Sequence, residues 1–177
     1  MSQIIPLFKR IEQKGPAVSF TGEGRLEKFF VFHICGKAFV VPAVDVAEVA
    51  NYSSLIEIPK APELVSGVVN VRGTVIPIVT LRERLGYSKD FAIDEKTKVI
   101  YFPVKQGYLI GMIVDDIEYR LRDGIIQPSN EKSVGKNNFK TVVIEDKDSS
   151  YRLPLFFIDE LISQTEFENI SKVLDSF

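Results

Sequence analysis

The side chains most able to do covalent chemistry lie close together near the start of the first apolar run. His33 is the only histidine and Cys35 the only cysteine. On a strand, residues two apart share a face, so the pair could in principle act as a thiolate and its base. The simpler reading is a partly buried histidine beside a structural thiol, and nothing else in the chain completes a catalytic set. One cysteine excludes an internal disulfide and a cysteine-built zinc site. The acidic pairs Asp94-Glu95 and Asp115-Asp116 fall at expected turns, where aspartate bonds its own backbone. Asp146-Lys147-Asp148 opens like a calcium loop, but Phe157 stands where the closing glutamate belongs. Gly22-Glu23-Gly24 is too short for a dinucleotide fingerprint, and Gly135-Lys136 is followed by Asn137 rather than serine or threonine. The expectation is no catalytic residue, no metal and no cofactor.

What remains is binding chemistry, and it centres on the stretch Leu55–Gly86. Val68, Val69 and Val71 lead into Arg72-Gly73, and Thr74 to Val79 lead out, which predicts a β-hairpin with an arginine beside its turn glycine. Pro59 and Pro62 fix φ upstream and make a stiff, extended bend. Arginine is a planar fork of five donors, and one charge set in an apolar hairpin is either a recognition group or a buried, paired one. The candidate partner-binding residues are Val46, Glu48, Pro59, Pro62, Gly67, Asn70, Arg72 and Gly73. Taken alone, Val46 reads equally well as core and Glu48 as a solvated face.

The elements that must position these residues are short strands. Phe29–Ile34 and Ala38–Val41 predict two strands about a turn at 35–37; 44–50 predicts a helical turn passing into a strand. Leu81–Leu85 suits one helical turn stopped by Gly86, and 87–96 a polar loop. Further hairpins are expected over 97–104 with 109–114 and over 139–144 with 151–158. Between them 118–121 reads as a strand and 122–138 mostly as loop. Ile4, Leu7, Phe8 and Ile11 predict an amphipathic helix within 2–14, with a linker over 15–28; Phe167, Ile170, Leu174 and Phe177 predict a C-terminal helix. The resulting division is 1–28, 29–163 and 164–177.

Composition sets the class. The chain has 177 residues, 45% of them apolar and 26% charged, which fits a globular domain. A net charge of −2, with no long Lys/Arg run, argues against a nucleic-acid partner. No stretch is long and apolar enough for a membrane span or a signal peptide, so no membrane insertion and a cytoplasmic location are expected.

The chain also repeats itself. Phe30–Val49 has the same order of parts as Val99–Tyr119, with Val44, Asp45 and Glu48 matching Val114, Asp115 and Glu118. Ile76–Leu85 matches Leu153–Ile162, Pro77 on Pro154 and Glu83 on Glu160. Each half is expected to give four or five strands and one helical turn. Two similar small barrels follow, since closure removes exposed edges.

Several of these features together resemble a known family. Phe-x-[apolar]-x-Gly-Lys-x-Phe-x-[apolar]-Pro, then Val-x-Glu-Val, Ile-x-Ile-Pro-x-Ala-Pro and Gly-Val-x-Asn-Val-Arg-Gly-x-[apolar]-[apolar]-Pro-Ile-Val-x-Leu-Arg are similar to the CheW family of chemotaxis coupling proteins, over about Phe29 to Ile162. The resemblance implies an all-β fold of two five-stranded SH3-like β-barrels, here with short helices at both termini. It implies a non-enzymatic adaptor whose partners are the regulatory domain of a CheA-type histidine kinase and the cytoplasmic tip of a methyl-accepting chemotaxis receptor, in an array at the membrane. By motif, Val46, Glu48, Gly67 and Arg72 would fall at or near the receptor contact, in a groove between the barrels. Thr80 departs from the aspartate that many members carry before Leu-Arg. The amphipathic N-terminal extension, together with Asn-Val-Arg-Gly and Phe-Val-Val-Pro, is similar to the branch serving type IV pilus and twitching pathways. A small-ligand or nucleic-acid-binding β-barrel is the alternative from another class, and it lacks a basic face or a stacking platform here.

Overall fold

The computed structural model describes residues 26–104, 107–134, 137–146 and 149–175; the expected N-terminal helix, most of the linker and Phe177 lie outside the described residues. The strands are β1 (Leu26–Ile34), β2 (Lys37–Pro42), β3 (Glu48–Asn51), β4 (Val65–Val71), β5 (Thr74–Val79), β6 (Lys98–Pro103), β7 (Leu109–Val114), β8 (Asp116–Val134), β9 (Asn137–Asp146) and β10 (Ser149–Pro154). Two helices follow, α1 (Ile158–Leu161) and α2 (Gln164–Leu174). A 3-10 turn over Ala43–Asp45 precedes β3, and Leu81–Gly86 makes one helical turn ended by Gly86 at φ +86°, both as expected.

The strands form two five-stranded sheets, ordered β10-β9-β8-β1-β2 and β3-β6-β7-β5-β4. A parallel bridge from Val40 to Leu155 brings the ends of the first sheet together. In the second, β5 runs parallel to β7, and a bridge from Ile56 to Val68 ties the chain after β3 to β4. We call these barrel one and barrel two.

The repeat is present, but its halves do not each build a barrel. Barrel one takes β1 and β2 from the first half and β8, β9 and β10 from the second; barrel two takes β6 and β7 from the second half and β3, β4 and β5 from the first. The halves have exchanged their leading hairpins. Matching parts still occupy matching places: the parallel contact of Ile78 with Gly111 in barrel two answers that of Leu155 with Val40 in barrel one.

This exchange explains why the leading hairpins are apolar on both faces. Phe29, Val31 and Val40 pack with Val142, Ile144 and Leu155 inside barrel one. The opposite faces, Phe32, Ile34, Phe39 and Val41, join a larger core with Ile100, Phe102, Ile110 and Met112 from the exchanged hairpin of barrel two. Among the described residues the largest apolar cluster therefore lies between the barrels. A strand covered on both sides reads as a continuous apolar run rather than an alternating one.

Two expectations need correction. Residues 122–134, read as loop, belong to the long strand β8, which pairs with β9 and breaks register only between Gln127 and Glu131, around Pro128. Polar composition concealed it, although Gly124 marks the pairing: a Cβ there would lie 2.7 Å from Val142 and 2.8 Å from Ile144. The linker, in turn, ends sooner than expected, because Leu26, Glu27 and Lys28 pair with Ile125, Gly124 and Asp123.

Helix α2 covers the central core with Phe167 and Ile170. Ser163 and Glu166 form a capping box: the Ser163 N–H donates to Glu166 Oε2 at 2.8 Å, and the Glu166 N–H to Ser163 Oγ at 3.3 Å. Arg84 donates to the same carboxylate and to the Leu161 carbonyl. The Arg84 guanidinium, then Ser163, hold the Glu166 carboxyl down to about 2, against the opposing pull of partial burial. A carboxylate with a depressed pKa stabilises the fold fully above its unfolded pKa, and that contribution fades as pH falls toward the folded value. Glu166→Gln is expected to cost about 1–2 kcal/mol at neutral pH, after allowance for solvent screening, and to lose its disadvantage between about pH 4.5 and 2. Urea melts across that range check it; a constant difference from wild type at every pH would contradict the clamp.

Candidate functional site

The Arg72 hairpin is built as expected, with one addition. Val71 pairs with Thr74, so the loop has two residues, and both are left-handed: Arg72 at φ +54° and Gly73 at +87°. Positive φ at both positions marks the type I′ turn that suits the twist of a hairpin. Glycine adopts it freely, whereas arginine does so at a cost of about 1 kcal/mol. Asn70 compensates by accepting the Gly73 N–H on Oδ1 at 2.8 Å. Arg72 is thus at the tip rather than beside it. It is exposed, and no described residue pairs with its guanidinium.

The other sequence candidates fall into three groups. Pro59 and Pro62 bracket a tight bend, in which the Ala61 N–H donates to Ile58 O and the Val65 N–H to Pro62 O, with Lys60 left-handed. Gly67 sits at a bulge in β4, where an added Cβ would lie 2.8 Å from the Ile56 carbonyl oxygen; it permits the close approach of the strand after β3. Val46 is in the central core. Glu48 opens β3 opposite Tyr101, and its Oε2 is buried without a hydrogen-bond partner among the described residues. Burial, and then the Glu48 charge, raise the Tyr101 phenol above its ordinary value. No hydrogen bond or ion pair joins Glu48 to the Arg72 turn among the described residues, so these candidates do not form a reacting constellation.

Cys35 and His33 do not form a pair. Cys35 lies in the β1–β2 turn at φ +51°, out of strand alternation, and its Sγ receives an N–H of Arg82. Arg82 is a residue the sequence reading passed over. It leaves the turn after β5, is buried, and donates through Nη2 to Asp115 Oδ1. Its guanidinium also lies over the Phe91 ring, 4.1 Å from the centroid. Asp115 Oδ2 accepts the Cys35 N–H at 2.6 Å, and the Asp115 N–H donates to His33 O at 2.9 Å. Thr80 is buried with no partner for its Oγ1 among the described residues, and the acid Arg82 meets is Asp115. The one available signal was Asp115 itself, the matched partner of Asp45 in the repeat.

A second surface also escaped the sequence. Between the pairs Phe29–Arg122 and Val31–Glu118, the single residue Phe30 faces three on β8, Tyr119, Arg120 and Leu121. That bulge exposes Tyr119 and Leu121, and Arg122 bonds Glu118 Oε2 through Nε and Nη2 across its base. Bulges of this kind re-aim side chains away from the sheet.

Comparisons with known proteins agree on one family. Residues 28–166 match the family model described as CheW-like domain. The chain is 29% identical over 156 residues to "Probable chemotaxis protein CheW" of Rhizobium etli, covering 86% of this chain and 97% of that one. It is 28% identical over 96 residues to "Chemotaxis protein CheW" of Klebsiella aerogenes, where the match spans 54% of this chain and 57% of that protein. Among solved structures, "Crystal structure of scaffolding protein TtCheW from Thermoanaerobacter tengcongensis" superposes with a TM-score of 0.64 at 22% identity, over 80% of this chain and 96% of that one; the fold is shared.

Proposed function

The chain belongs to the family of CheW-like domains, and from that premise we propose that it is a non-enzymatic coupling protein of a chemosensory pathway. It holds a CheA-type histidine kinase regulatory domain and the cytoplasmic tip of a methyl-accepting receptor together, and passes receptor state to the kinase by differential binding. The observation that carries this reading is the family match, which runs through both barrels rather than one. It is supported by the Arg72 turn, an exposed cation on a preset backbone, and by the apolar bulge at Tyr119. Among the described residues no helix is long and apolar enough to cross a membrane, and no cluster of His, Cys, Asp or Glu could hold a metal. In an array the partner is brought close by many linked contacts, so each contact can be weak.

Titration of the protein against an isolated kinase regulatory domain and, separately, a soluble receptor-tip fragment tests the proposal. Saturable binding in roughly the micromolar range is expected to both. Arg72→Ala leaves the melting temperature within a few degrees and weakens one of the two by about 30-fold, the effect of losing a hot-spot arginine worth ~2 kcal/mol. Binding to neither partner would sink the coupling role. Equal affinity of wild type and variant for both would remove Arg72 from the contact.

A further inference from the structure

We propose that Arg82 is a positioning residue: through Asp115 and Cys35 it fixes the angle between the two barrels, and with it the spacing of the surfaces a partner reads. The inference deepens the coupling function and rests on that reading, because it concerns how one partner could engage both barrels at once.

Two crossovers join the barrels. The first runs from β2 through the 3-10 turn at Ala43–Asp45 into β3, and the second is Asp115 alone, between the end of β7 and the start of β8. Arg82 leaves barrel two after β5 and grips the second crossover directly, by its ion pair to Asp115. It also grips the β1–β2 turn of barrel one at Cys35 Sγ, while Asp115 takes the Cys35 N–H on its other oxygen. Phe91, from the loop between β5 and β6, backs the guanidinium on the barrel-two side. One planar fork therefore holds a turn of each barrel and the residue that links them.

The rest of the contact between the barrels is apolar, formed by Phe32, Phe39, Phe102 and Phe156 with their aliphatic neighbours. Apolar burial is strong but has no preferred direction, so it permits small sliding; a planar guanidinium held at two partners, Asp115 Oδ1 and Cys35 Sγ, has a fixed direction. The device is also asymmetric. In the repeat, the place of Arg82 is taken by Asp159. Val46 and Glu48 follow that other crossover, the Arg72 hairpin projects from barrel two, and the Tyr119 bulge projects from barrel one. Motion of the barrels about the Arg82 grip changes the spacing between the Arg72 hairpin and the Tyr119 bulge.

The test is a distance measurement in the free protein. Probes on non-canonical residues replace exposed Thr74 of β5 and Lys140 of β9, leaving Cys35 intact; a control pair replaces Thr74 and Asn51, both in barrel two. Double electron–electron resonance is recorded for wild type, Arg82→Met, Asp115→Asn and Arg82→Lys. The distance distribution between barrels is expected to broaden in Arg82→Met and Asp115→Asn, less so in Arg82→Lys, with the control pair unchanged. Affinity for the receptor-tip fragment falls about 10-fold in parallel. If Arg82→Met does not fold, the other two variants carry the measurement. A folded variant with the wild-type distribution between barrels overturns the proposal, as does broadening of the control pair to the same extent. If the distribution behaves as expected but wild type binds neither partner, the positioning role stands and the coupling role falls.

Discussion

Phe156→Ala is expected to lower the unfolding free energy by about 3–5 kcal/mol, the range for removing a fully buried aromatic side chain from a close-packed core. Phe156 is completely buried and meets four other rings: Phe32 edge-on at 5.3 Å, and Phe39, Phe102 and Phe139 each at 6.4 Å between centroids. Phe32, Phe39 and Phe139 belong to barrel one and Phe102 to barrel two, so the cavity left by the substitution opens between the barrels. Neighbours anchored in two closed sheets cannot collapse into it easily, which places the cost toward the upper end. Phe156→Leu, which keeps most of the volume, should cost less than half as much. Chemical denaturation of both variants is the measurement. An alanine variant within 1 kcal/mol of wild type would mean that the aromatic cluster contributes little to the join.

Arg82→Ala should cost about 3 kcal/mol or more, and lower the melting temperature by about 6–12 °C for a chain of this size. The reason is what the substitution leaves behind. Asp115 loses the Arg82 cation while its side chain stays only 29% exposed, and the cation–π contact with Phe91 goes too. Removing one member of a buried pair costs far more than the pair is worth, because the survivor stays desolvated. The surface pair Lys28–Asp123 gives the contrast: both side chains are about half exposed, and Lys28→Ala should cost less than ~1 kcal/mol. Thermal melts of the two variants side by side settle it. Comparable, small losses would show that the Arg82 site is effectively wet.

These two residues show what could be read beforehand. The hairpins around 29–41, 68–79 and 97–114 were legible because two-sided apolar runs punctuated by glycine have few other solutions. The hairpin that carries Arg72 was legible because apolar runs flank Arg72-Gly73, whereas the Asn70 bond and the left-handed Arg72 came only with the structure. The repeat was legible too. The hairpin exchange was not, because the order of parts along a chain is the same whichever half supplies the partner strand. Residues 122–134 were missed because a strand that carries little apolar alternation is held by its neighbours' backbones rather than by its own pattern. Arg82 and Asp115 were missed for a related reason: each lies in a turn, where charge ordinarily means solvent, and only the tertiary fold brings them together with Cys35. Of the site, the sequence pointed to the tip residue and left the Tyr119 bulge unseen, since a bulge is a property of the pairing between β1 and β8.

The exchanged hairpins have a consequence for how the chain can come into being. When synthesis has passed β5, the nascent chain holds three strands of barrel two and two strands of barrel one, and it can finish neither. Barrel two waits for β6 and β7; barrel one waits for β10, near the end of the described chain. Pairings this distant in sequence are slow to find, and the waiting strands keep their edges and both apolar faces open meanwhile. There is no cut between β5 and β6 that leaves a finished part on either side. A first half released alone would complete itself most readily by taking the missing hairpin from another chain.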